Sequence, residues 1–196
     1  MRQVGNVVSH LVYGEKLHKD AANVLTEVKW QCERDLARIG VTRERSIELI
    51  ARAEKRLLET HHLCESPIEQ MMLAAMAFMV VDGADCFPPA IHDVMSGEDW
   101  PVCPVVIVPQ FTIARYRLDF LVAVETRGNP YFIAVECDGA KHHTNVADRE
   151  RDMARDKYLR GLNIKTYRVP GGWIYKQNWK VADEIAAFCI QKRNAA

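Results

Sequence analysis

No CxxC pair occurs among the six cysteines, no apolar run is long enough to span a bilayer, and charge of neither sign predominates. Each absence removes a class of protein. Cys32, Cys64, Cys86, Cys103, Cys137 and Cys189 are scattered without the spacing of a small disulfide framework, so reduced thiols in a cytoplasmic protein are expected. A zinc held by Cys64 with His61 or His62, and completed by Cys86 and Cys103, would lack the second short-spaced ligand pair of structural zinc sites. The longest apolar run, around Met71–Val81, is too short for a membrane span. The opening MRQVGNVVSHLVYGEK holds no sustained apolar core and no small-residue cleavage site, so neither a secretory signal nor a membrane partner is expected. Repeats, low-complexity stretches, zinc fingers and a recognisable helix-turn-helix are missing as well.

What is present is an ordinary globular composition: 196 residues, 48% hydrophobic and 27% charged. That length fits one domain with an extension, or two small domains. Lysine plus arginine and aspartate plus glutamate both number 26, which argues against a simple nucleic-acid coat protein. The charge is nevertheless uneven. Lys141–Arg168 carries eight Lys/Arg against four acids, with two histidines in addition. A face of that kind suits a phosphate-bearing polymer.

Three helical patterns come first. Glu15–Ile39 places Leu25, Val28, Leu36 and Ile39 at helical spacing, and Arg43–His61 does the same with Ile47, Ile50, Ala51 and Leu57. Gly40 closes the first and Thr42 caps the second, giving a helical extension over residues 1–62. Ser66-Pro67-Ile68-Glu69 is a capping box with proline at the first helical position, predicting a third helix through Val81. Ala84–Pro104 reads as a long loop. Strands are expected at Val105–Pro109, Tyr116–Val124, Tyr131–Cys137 and Ile164–Val169, with helices at Asn145–Arg160 and Trp179–Arg193. Residues 63–196 thus form an α/β domain, with a mixed sheet flanked by helices.

Carboxylates collect at the strand ends. A tight Gly128-Asn129 turn places Asp119 opposite Asp138, and a shift of two residues places it opposite Glu136. Alternation puts Glu136 and Asp138 on one face. Acids about 4.5–5.5 Å apart at Cβ repel unless a cation or protons offset them, and an all-oxygen set suits Mg²⁺ or Mn²⁺. His142 or His143 can move a proton near neutral pH. Arg115, Arg117, Arg151, Arg155 and Lys157 surround these positions and suit phosphate contacts. Each residue also has a structural explanation. Glu69 is fully accounted for as the capping-box acid, the histidines as solvated loop residues, and the charged helix by Asp148/Arg151, Asp152/Arg155 and Asp156/Arg160 pairs.

The segments SPIEQMMLAAM, QFTIARYRLDFLVAV, IAVECDGAKHH and DMARDKYLRGLNIKTYRV together resemble domains related to the very short patch repair endonuclease. Those domains belong to the PD-(D/E)XK, or restriction-endonuclease-like, superfamily. The resemblance spans about Ser66–Ile190 and implies an αβββαβ core. It implies a Mg²⁺-dependent endonuclease acting on DNA, in which Asp119, Glu136 and Asp138 bind metal. Glu69 would be the supporting helix acid, His143 a catalytic partner, and Arg168 the arginine of the last strand. Asp152, Arg155 and Asp156 match a D-x-x-R-D pattern, and a homodimer is a further implication. Two positions depart from the pattern: Leu118 stands in place of proline, and Asp138 stands where the simplest motif has lysine. The water-activating role therefore falls to Lys141, His142 or His143. An RNA-directed nuclease and a catalytically silent nucleic-acid-binding module remain the alternatives.

Overall fold

The computed structural model describes residues 17–81, 89–92, 103–126, 129–139 and 146–195. Helices α1 (Lys19–Arg38) and α2 (Arg43–Thr60) form a hairpin, followed by a single 3₁₀ turn at His61–Leu63. Gly40 ends α1 at φ 85. Its N–H bonds to Ala37 O at 3.1 Å, and that of Val41 to Leu36 O at 2.9 Å. This is the double closure that needs a left-handed residue. Thr42 caps α2 by accepting the Arg45 N–H, as expected.

Helix α3 (Pro67–Ala77) starts as the sequence predicts but stops short of Val81. Every residue from Met71 to Ala77 is buried. A helix apolar on all sides must be covered on all sides, and α3 is packed by α1, α2, α5 and the sheet. The expected stop at Asp82-Gly83 lies outside the described residues.

The sheet has five strands in the order β1-β2-β3-β4-β5: Ala90–Ile91, Val105–Ile113, Tyr116–Val124, Tyr131–Asp138 and Ile164–Pro170. The two outer pairings are parallel and the two inner ones antiparallel. Strand β1 corrects the expected long loop. It is two residues long, too short to leave a periodic pattern, and is defined by pairing with Val106 and Ile107. Strand β2 also runs beyond Pro109 to Ile113, turning into β3 through Ala114-Arg115.

Helix α4 (Val146–Gly161) lies against one sheet face, where Leu159 joins Val106, Val108, Leu121, Ala134 and Ile164. The other face carries the larger core, shared by α1, α2, α3 and α5 (Gly171–Asn194) with Ile107, Phe120, Val122 and Val135. Helix α5 begins well before the expected Trp179. Its backbone is non-helical at Gln177, and this break hides the first turn from a periodicity reading. Gly171 gives the chain room there, because a Cβ would crowd Asp138 O and Ile68 Cδ1 at 3.1 Å each. No helix among the described residues is long and apolar enough to cross a membrane.

Leu57 of α2 is completely buried within the larger core, which joins the helical hairpin to the sheet. Leu57→Ala is expected to lower unfolding free energy by about 2–5 kcal/mol. The loss should appear in a single denaturant transition, whether followed by helical circular dichroism or by tryptophan fluorescence. Two separated transitions would show that the hairpin folds independently.

Candidate active site

The register between β3 and β4 corrects the tight-turn expectation. Val124 pairs with Tyr131 and Phe120 with Val135, so the connection takes six residues, 125–130. Near its end the Thr126 hydroxyl donates to Asn129 O at 2.7 Å, and Pro130 has no N–H to extend the ladder. Continuing the observed register by one residue sets Asp119 across from Glu136, the shifted alternative. Asp119 reaches the neighbouring strand directly: its Oδ2 accepts the Cys137 N–H at 2.6 Å.

Glu136 is 4% exposed. Its Oε2 meets the Arg155 guanidinium at 2.9 Å, while its Oε1 is buried and has no hydrogen-bond partner. Asp138 meets Arg168 at 3.5 Å, and Arg168 also bridges to Asp156 at 3.0 Å and Asp152 at 3.9 Å. Arg155 contacts Asp152 at 3.5 Å, the expected pair. Asp156 is turned toward Arg168, in place of the expected Arg160 pairing.

These environments shift the protonation equilibria. Burial pushes the Glu136 carboxyl up to about 7, opposed by Arg155 and reinforced by Asp119. Burial also raises Asp119, against the lowering effect of the Cys137 N–H. Arg168 is held above its usual value: burial works against its charge, but Asp156, Asp138 and Asp152 outweigh it. The buried thiols of Cys64 and Cys137 are pushed well up, first by desolvation and then by nearby carboxylates including Asp119 and Glu69. They are therefore unreactive fillers rather than thiolate ligands. Cys32, Cys64, Cys137 and Cys189 form no disulfide.

Glu69 is almost fully buried and well supplied with donors. Ser66 Oγ donates to its Oε1 at 2.7 Å, while the Glu65 N–H and Gln110 Nε2 donate to its Oε2 at 2.8 and 2.7 Å. Gln110 is a residue that the sequence reading passed over. It has φ 52, a conformation costing on the order of 1–2 kcal/mol for a residue with a Cβ. It also interrupts the β2–β3 ladder between Pro109↔Phe120 and Phe111↔Leu118, directly across from Asp119. The two-residue Ala114-Arg115 turn was the available signal, since counting back from it brings Gln110 opposite Asp119.

Among the cationic candidates, Arg117 pairs with Glu65. Arg115 is exposed and lies over the Tyr116 ring. Arg151 and Lys157 are exposed on α4. Arg155 and Arg168 are turned inward onto the acids. Lys141, His142 and His143 lie outside the described residues, as does Asp148 as a side chain.

Among the described residues no group of three His, Cys, Asp or Glu side chains is arranged to hold a metal ion. The oxygen chemistry nevertheless fits a hard cation. Asp119 and Glu136 are adjacent and raised in pKa, and a buried carboxylate oxygen without a donor is chemically suited to a hard cation.

Residues 104–188 match the family model REase_MTES_1575, a restriction-endonuclease-like family, and the α/β architecture described above is restriction-endonuclease-like. The matched stretch includes Asp119, Glu136, Asp138, Arg155 and Arg168, whereas Glu69 precedes it. No curated protein matches the chain, and no solved structure does.

The Glu136 shift has a thermodynamic consequence with a definite sign. A carboxyl raised from 4.5 to about 7 binds more protons when folded than when unfolded across that interval. Stability from this group is complete below about pH 4.5 and is lost as pH rises through 7, by at most about 3 kcal/mol. In chelator, wild-type stability relative to Glu136→Gln is expected to decline over that window in denaturant titrations. A constant difference between the two proteins would contradict the assignment.

Proposed function

We propose that this protein is a divalent-metal-dependent endonuclease that hydrolyses DNA phosphodiesters at the site around Asp119 and Glu136. The observation that carries the reading is the buried, unpartnered Oε1 of Glu136 one strand away from Asp119, within a restriction-endonuclease-like fold. A buried acid retained with a half-empty hydrogen-bond shell is costly to the fold, and cation chemistry gives it a use.

In this reading Asp119 and Glu136 hold Mg²⁺ or Mn²⁺, with Asp138 as the third acid. The chemistry such a cation supplies when bound is polarisation of the phosphodiester and a lower pKa for the attacking water. Asp119 is aimed by the Cys137 N–H, and Glu69 fixes the start of α3 beside it. Arg155 and Arg168 compensate the acids and orient them. The exposed Arg115, Arg151 and Lys157 hold flanking phosphates, positioning the backbone without reading bases. Proton transfer to or from water is assigned to His143, with Lys141 and His142 as the other candidates on the same segment. Water attack at phosphorus breaks one P–O bond, and the departing alkoxide takes up a proton. The segment IAVECDGAKHH supports a narrower kinship with the very short patch repair type.

One observation favours a second reading, a nucleic-acid-binding module without catalysis. Glu136 and Asp138 already pair with Arg155 and Arg168, and Asp138 occupies the position of the motif lysine. Binding that weakens steeply with salt, without cleavage in any metal, would select it.

Plasmid nicking separates the two readings. Mg²⁺ or Mn²⁺ is expected to support conversion of supercoiled DNA to the open circle. Asp119→Ala and Glu136→Ala should each reduce the rate at least about a hundredfold, with melting midpoints measured alongside. Cleavage unaffected by both substitutions would refute the assignment, and preferential cutting of an RNA substrate would redirect it to RNA.

A further inference from the structure

We infer that Gln110 supplies a neutral oxygen ligand to the divalent cation, completing the set begun by Asp119 and Glu136. This rests on the metal-site reading above and names a residue outside the acids that the reading uses.

The first observation is an orientation. Gln110 Nε2 lies 2.7 Å from Glu69 Oε2. Only the amide nitrogen can face a carboxylate at that distance, because a carbonyl there would set two acceptors against each other. Its Oε1 is therefore directed away from Glu69, and it is buried without a hydrogen-bond partner. Buried carbonyl oxygens are rarely left in that state.

The second observation is independent of the first. Glu136 is 4% exposed and its Oε1 is also unpartnered. Asp119 lies between the two residues in the sheet, across from Gln110 on one side and next to Glu136 on the other. Two unsatisfied acceptor oxygens on either side of a carboxylate call for a donor or a cation. Asp138, the third acid of the metal-site reading, is held toward Arg168 at 3.5 Å and no group of three acids is arranged to hold a metal among the described residues, whereas an amide oxygen adds a ligand with chemistry suited to Mg²⁺.

The third observation explains why this role falls to Gln110 rather than to Glu69. Ser66, Glu65 and Gln110 already donate three hydrogen bonds to the Glu69 carboxylate. It is occupied in holding the start of α3 and the amide of Gln110. Glu69 therefore acts through Gln110 as a positioning residue, and the backbone strain at φ 52 is the conformation that aims the amide. A role confined to the backbone bend would be served as well by glycine, which favours that φ, so the side chain is kept for what its amide does: the nitrogen holds Glu69 and the oxygen is left for a ligand.

The test is Mn²⁺ titration of the full chain by electron paramagnetic resonance, comparing wild type with Gln110→Gly and Gln110→Met. The glycine variant suits the left-handed backbone and so guards against loss of fold, while methionine keeps the length without the oxygen. Both are expected to bind Mn²⁺ about tenfold more weakly and to show a smaller Mn²⁺-induced rise in Tm. Melting midpoints of both variants in chelator report the cost of losing the hydrogen bond to Glu69, so that it is read separately from the loss of Mn²⁺ affinity. Unchanged Mn²⁺ affinity in both variants, with wild type binding normally, overturns the role of Gln110 and leaves the carboxylate site standing. Absence of Mn²⁺ binding by wild type overturns both.

Discussion

Burying the carboxylate of Glu136 at the end of β4 is the constraint around which this side of the molecule is arranged. A charge removed from water needs a counter-charge, a proton or an ion. The fold supplies Arg155 at 2.9 Å from α4, the helix that covers this face of the sheet. Placing Arg155 there brings Asp152 and Asp156 of the same helix toward β5. They hold Arg168, and Arg168 in turn reaches Asp138. The charged pattern of α4 is thus more than a solvated surface: one side of it completes an alternating network of acids and arginines. Two of the basic residues of that segment, Arg155 and Arg168, are thereby committed to acids within the fold.

On the β2 side the organising element is the N-terminus of α3. The capping box there does what such boxes do elsewhere, with Ser66 accepting the Glu69 N–H. Its acid has a further use, because Glu69 Oε2 also receives the Gln110 amide from the sheet. A helix start thereby fixes a strand distortion, and that distortion lies across from Asp119. The two readings of Glu69 weighed from the sequence, capping and function, are compatible for this reason.

Elements defined by local patterns were legible in the sequence. The helical hairpin, the start of α3, the full extent of β3 and the break at Gly40 all follow from periodicity, caps and glycine. What escaped depends on partners or on unusual backbone. Strand β1 exists only through its pairing with β2. The first turn of α5 opens with two glycines and breaks again at Gln177, so no helical period runs through it. Gln110 sits at a positive φ where glycine or asparagine is the usual occupant, and nothing in its identity announces the bend. The inward turn of Arg155 and Arg168 is equally hidden. An arginine on a charged helix looks the same from sequence whether it faces phosphate or Glu136, and only the packing of α4 on the sheet decides.

The arginine partners bear on how a cation would enter such a site. If the acids stood unmatched, their mutual repulsion would tie folding to metal. Here Arg155 and Arg168 offset part of that charge, and the raised carboxyls of Asp119 and Glu136 answer the rest by holding protons more readily. Cation binding then exchanges one set of partners for another, and its net free energy is the difference between the two. That difference is smaller than the bare attraction of three carboxylates for a divalent ion, because Arg155 must give up part of its hold on Glu136. Neutral donors fit this situation better than further acids. An additional carboxylate would need its own arginine in the absence of metal, whereas an amide oxygen adds a ligand without adding charge. The single free oxygen of Glu136 and the single free oxygen of Gln110 are consistent with a site that uses the fewest charges able to hold the ion.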